Sequence, residues 1–201
     1  MRSIFSFIVE PKEERYNNKK QIGDNELILN TEISDHRYIS RNAVVLETPV
    51  AIKTCIAKGD EVIVHHNVFR RWYDVRGKEK NSSSFFEEDK YFVTDEQIFL
   101  YKRNNKWHAP KGFCFVKPLK SNDKFDTNKE RPLIGVIKYT DAALGKDGIQ
   151  NGSLVGFTPH SEYEFIVEGE RMYRVPTNSI SIKYEYQGDE KEYNPSWSQS
   201  G

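Results

Sequence analysis

Two cysteines, Cys55 and Cys114, are all that 201 residues contain. That is too few for a disulfide framework, and the apolar neighbours of each read as those of a small buried thiol in a reducing compartment. No apolar run approaches the roughly 18 residues of a membrane span. Met1-Arg2 leads into the short SIFSFIV rather than into a secretory core with a small-residue cleavage site. A soluble, cytoplasmic chain is expected. An excess of one charge is also missing: 30 basic residues balance 30 acidic ones, which excludes a whole-chain field that would draw the protein to nucleic acid or anionic lipid. Gly-rich phosphate loops, a G-x-S-x-G turn and carboxylates paired in an apolar frame are absent, so neither catalysis nor a cofactor is expected. His65 and His66 are adjacent, an arrangement that on a strand points them to opposite faces, and no second pair of ligands stands at a usable spacing; no metal site is expected. Alanine is scarce and no sustained helical stripe appears, so almost no helix is expected.

What is abundant is Tyr, Phe, Val and Ile in short runs bounded by Gly, Asn, Asp or Pro, an all-β pattern. The strand candidates are SIFSFIVEP, ELILNT, NAVVLET, DEVIVHH, KYFVT, QIFLYK, GFCFVKP, LIGVIKY, GSLVGFTP, YEFIVEG, RMYRVP and SISIKYEY. Their order contains a repeat. FIVEP at 7–11 recurs as FVKP at 115–118, NAVVLE at 42–47 as LIGVIKY at 133–139, and KGDEVIV at 58–64 as NGSLVGF at 151–157. YFVTDEQIFLYK at 91–102 recurs as YRVPTNSISIKY at 173–184, which places Val93 and Ile98 on Val175 and Ile180. Four blocks in the same order, twice, indicate a tandem duplication.

The spacings locate the differences between the copies. Val9 to Val44 spans 35 residues and Val116 to Val136 spans 20, so the first copy carries 15 more between its first two blocks. Val62 to Val93 spans 31 against 20 for Val155 to Val175, a second insertion of 11. Insertions collect in loops, where they cost little and often carry function. The aliphatic run Leu27, Ile28 and Leu29 lies in the first insertion, among Asn, Lys, Asp, Glu, Gln and Gly that cannot bury it. Such a segment does not offset the roughly 1–2 kcal/mol of backbone entropy per ordered residue, and its aliphatics call for a partner. The expected organisation is a first domain over 1–104, a linker over 105–112, a shorter second domain over 113–186, and a polar, frayed tail over 187–201.

The strand ending in proline, the long polar loop with its aliphatic tripeptide, KGDEVIVHH and YFVTDEQIFLYK together resemble the GroES-type co-chaperonins, and most closely those carried by bacteriophages. The resemblance covers residues 4–104 and again 113–186. It implies two tandem small irregular β-barrels, a mobile loop over about 16–38, and a roof hairpin over about 66–90 that includes Phe69, Arg70, Arg71, Trp72 and Tyr73. It implies a homo-oligomeric ring that caps a GroEL-like chaperonin ring, with ATP bound by the partner. By position, Leu27, Ile28 and Leu29 match the tripeptide that docks on the chaperonin. In a phage setting the location is the host cytoplasm, and the second barrel would make a taller dome over an enclosed phage protein such as a capsid subunit. The second copy departs from the family at SNDKFDTNKERP, residues 121–132, which is short and has no aliphatic tripeptide.

Three other readings stand beside this one. ELILNTE is also compatible with an ordinary strand, with Leu27 and Leu29 facing a core and Ile28 outward. FRRWYDVRGKEK interleaves aromatics with arginines as a single-strand nucleic-acid platform does, although Asp74, Glu79 and the EED at 87–89 neutralise the neighbourhood and argue against nucleic acid. Tandem barrels also suit a virion or assembly component that reuses the fold without a chaperonin, a reading that leaves the aliphatic loop unexplained.

Overall fold

A computed structural model describes residues 2–17, 19–28, 35, 38–123 and 129–195. The fold is all-β, in two compact units, Met1–Trp107 and His108–Gly201. The first holds β1 (Phe7–Pro11), β2 (Lys19–Ile22), β3 (Asn25–Ile28), β4 (Asn42–Glu47), β5 (Glu61–Val64), β6 (Arg71–Tyr73), β7 (Glu79–Asn81), β8 (Phe85–Glu87), β9 (Lys90–Val93), β10 (Ile98–Arg103) and β11 (Lys106–His108). The second holds β12 (Phe113–Lys120), β13 (Glu130–Tyr139), the five-residue helix α1 (Ala142–Lys146), β14 (Leu154–Phe157), β15 (Tyr163–Val167), β16 (Glu170–Pro176) and β17 (Ile180–Tyr184). Among the described residues no helix is long and apolar enough to cross a membrane.

In the first unit the main sheet runs β11-β10-β5-β4-β1-β9-β8. Alternating residues of five of these strands, Phe7, Val9, Ala43, Val45, Val62, Val64, Tyr91, Val93 and Ile98, form one buried cluster. β9 and β10 are four places apart in the order, about 19 Å in a flat sheet, yet Val93 and Ile98 share that core and only the 3-10 turn Asp95–Gln97 separates them. The sheet therefore curls around its own core. No ladder joins its two edges among the described residues, so the sheet is an open roll.

The second unit repeats the arrangement as β15-β16-β12-β13-β14-β17, and the correspondence extends to register. Val9 opposes Val45 as Val116 opposes Ile137, and Phe7 opposes Val93 as Cys114 opposes Val175. Each first strand has a bulge at the same place, Ile8/Val9 and Phe115/Val116. The turns before β5 and β14 each need a left-handed glycine, Gly59 at φ 86° and Gly152 at φ 87°, a conformation that an L side chain rarely adopts. Gly59 N–H donates to Val45 O as Gly152 N–H donates to Ile137 O. A loop residue plugs each core, Ile56 in the first unit and Leu144 of α1 in the second; Asp141 caps α1 by accepting from the N–H groups of Ala143 and Leu144.

Three expectations are corrected. Residues 106–108 of the expected linker are the edge strand β11, whose Trp107 is buried; Asn104 and Asn105 before it both adopt the positive φ of a tight hairpin turn. The tail is not frayed up to Pro195: it lies along the end of β12, with Lys120 N–H donating to Lys191 O at 2.7 Å and Tyr193 N–H to Pro118 O at 2.8 Å. Glu192 pairs with Lys117, and Asp189 with Arg131 at 2.7 Å. Cys55 is exposed rather than buried, whereas Cys114 is fully buried and burial pushes its thiol up to about 12.

Candidate functional site: two hairpins at the first unit

The two insertions of the first copy contain two hairpins, β2–β3 and β6–β7, that have no counterpart in the second unit among the described residues. β2 and β3 pair from Lys19 with Ile28 to Ile22 with Asn25. Gly23, at φ 60°, opens the two-residue turn, the place where a II′ turn requires glycine. The expected mobile loop thus contains a regular ladder, while residues 18, 29–34, 36 and 37, including Leu29 of the aliphatic run, lie outside the described residues. Leu27 is 50% and Ile28 55% exposed. Neither faces a core, so the ordinary-strand reading is wrong for Leu27.

The ladder also redistributes the run. Successive side chains alternate across a strand, so Leu27 and Ile28 belong to opposite faces. Ile22, diagonal to Leu27 across the ladder, shares Leu27's face and is 56% exposed. Sequence reasoning missed Ile22. The signal was present in QIGDNE, a Gly-Asp turn flanked by strand-compatible residues, but the surrounding polarity hid it.

β6 and β7 form the second hairpin, Arg71 opposite Asn81, Trp72 opposite Lys80 and Tyr73 opposite Glu79. Asp74 shapes its tip: its Oδ1 accepts from the N–H groups of Arg76 and Lys78, both at 2.9 Å, and those bonds hold its carboxyl below the usual range. Val75 at the tip is fully exposed. The expected roof residues divide. Phe69 is wholly buried against Tyr91, with ring centroids 4.8 Å apart, Arg70 is exposed, and Arg71 is pinned to Glu79 at 3.0 Å. Trp72 and Tyr73 are exposed on opposite faces, so they do not make the continuous stacking surface that a single strand of nucleic acid needs.

The neck of the first insertion meets the root of the second hairpin. Tyr16 bridges to Ile39, and both are buried. Arg71 N–H donates to Tyr16 Oη at 2.9 Å, and the Arg71 guanidinium sits 4.7 Å from the centroid of that ring. Arg15 Nη2 donates to Phe69 O at 2.9 Å and to Asn81 Oδ1 at 3.1 Å. Burial lowers the Arg15 guanidinium from its ordinary value, and Tyr91 opposes the shift from 5.1 Å. His65 and His66, expected on a strand, lie just past β5 instead, with ring centroids 4.2 Å apart. Among the described residues no group of three or more His, Cys, Asp or Glu could hold a metal ion.

No family model matches the chain, and no curated protein matches it significantly.

Proposed function

We propose that the protein is a co-chaperonin, which caps a chaperonin ring through the β2–β3 hairpin of its first unit and assists folding of the polypeptide enclosed. One observation carries this reading: the first copy bears a two-stranded hairpin whose Ile22, Leu27 and Ile28 are each at least half exposed. A two-stranded hairpin is marginal in water by itself, and its aliphatics gain nothing until a groove covers them. Covering the exposed half of each is worth about 1 kcal/mol. That makes a weak single site, suited to a machine that releases its cap, and several identical hairpins on one ring would raise the overall affinity by effective concentration. ATP hydrolysis belongs to the partner, which sets the time of release.

The test uses the purified full chain, a GroEL-like chaperonin and ATP or ADP. Nucleotide-dependent capture of the chain by the chaperonin, with lowered chaperonin ATPase, is the expected result. An absence of binding with both nucleotides removes the reading.

A further inference from the structure

Among the described residues the β2–β3 and β6–β7 ladders have no counterpart in the second unit, and in the first unit the neck of the first insertion is bonded to the root of the second. We propose that Arg15 and Tyr16 are positioning residues that join the neck of the first insertion, residues 15–17 with 38–40, to the root of the β6–β7 hairpin, so that ordering one orders the other. The joint is read from geometry alone; its use in docking rests on the function proposed above.

The joint engages both strands at the root of the second hairpin. Arg15 holds Phe69 O on one side and Asn81 Oδ1 on the other, while Tyr16 takes the N–H of Arg71, the first residue of β6. Ser82 Oγ donates to Val68 O and closes the same root. On the other side, Arg15 and Tyr16 belong to the neck of the first insertion. Ser40 N–H donates to Arg15 O at 2.9 Å and Asn17 N–H to Tyr38 O at 2.7 Å. Tyr16 is 7% exposed and its partner Ile39 4%, so the neck is fixed in the core while the hairpin beyond it stands in solvent. Each hairpin is a short ladder of low local stability. Opening one root removes hydrogen-bond partners of the other, so the two opening equilibria share a free energy, and linkage makes the effect equal in both directions. A partner that orders the neck therefore also stiffens the tip that carries Trp72, Tyr73 and Val75.

Tyr16→Phe is the cleanest probe, because it removes one hydroxyl and keeps the ring in the core and under Arg71. In the full chain, amide exchange across 71–81 should rise about fivefold or more, with melting and the exchange of β1 and β4 unchanged. Reciprocally, Asn81→Ala should speed exchange at the Asn17 and Ser40 amides. The joint is overturned if each variant loosens only its own side, or if β1 and β4 loosen to the same degree, which is the mark of a general packing role. With a chaperonin ring and ATP, Tyr16→Phe should weaken binding about fivefold or more although Ile22, Leu27 and Ile28 are intact; unchanged affinity overturns the positioning role. A wild-type chain that does not bind the chaperonin overturns the proposed function instead, and the exchange measurements then decide the joint by themselves.

Discussion

Leu27 and Ile28 decide between docking and packing because each is half exposed on a two-stranded ladder. Were Leu27 a core residue, Leu27→Ala would cost about 2–5 kcal/mol; on this ladder it should stay within about 0.5 kcal/mol, as surface changes do. Ile28→Asp should leave melting unchanged and abolish chaperonin binding, because a carboxylate in an apolar groove costs several kcal/mol. Thermal melts set against binding isotherms check both. If Ile22 shares the work of Leu27, Ile22→Asp should weaken binding as well, and full retention would confine docking to the β3 strand. A different residue pair tests burial: Cys55 is exposed, while Cys114 is buried with its thiol pushed up to about 12. Near pH 8 a native chain should take up one alkyl group, at Cys55, and a second only on unfolding, as read by mass spectrometry.

At the scale of elements, the duplication allows each copy to serve as a control for the other. Ala43 and Gly135 hold equivalent places, opposite Pro11 and Pro118. A Cβ on Gly135 would lie 2.3 Å from Lys117 O, which is backbone and cannot swing aside. Gly135→Ala should therefore destabilise the second unit by about 1–3 kcal/mol, measured by denaturant unfolding. The tail gives a second test. Lys117, whose side chain is 9% exposed, is held by Glu192 and by Glu170 at 3.3 Å, and Asn194 Oδ1 accepts from Arg171 N–H at 3.0 Å. Ending the chain at Gln187 removes Glu192 and Asn194 and leaves Lys117 with one partner, so the second unit should melt earlier while the first does not. The twelve strands expected from sequence are the apolar, alternating ones. The five that periodicity did not mark, β2, β6, β7, β8 and β11, are three or four residues long and mostly polar or exposed. They are held by turn geometry and by neighbouring strands, which periodicity does not report.

For the whole molecule, the proposed function carries an expectation about assembly. The main sheets end on β8 and β11 in the first unit and on β15 and β17 in the second, and unpaired edges invite pairing with another chain. A closed homo-oligomeric ring is expected at micromolar concentration without a chaperonin; a monomer by sedimentation or native mass measurement would count heavily against it. By itself the sequence determined the all-β class, the duplication and the position of both insertions, because strand alternation, turn glycines such as Gly59 and Gly152, and block order are local properties of a chain. Only the tertiary structure decided that Leu27 and Ile28 lie on opposite faces of a hairpin, that Ile22 shares the face of Leu27, that Phe69 is core and that the tail is docked. It alone brought Arg15 and Tyr16 to Arg71 and Asn81, more than fifty positions away. The physical reason is that a side chain's burial and its hydrogen-bond partner depend on which distant strands the rolled sheet places beside it, and no short window of sequence contains them.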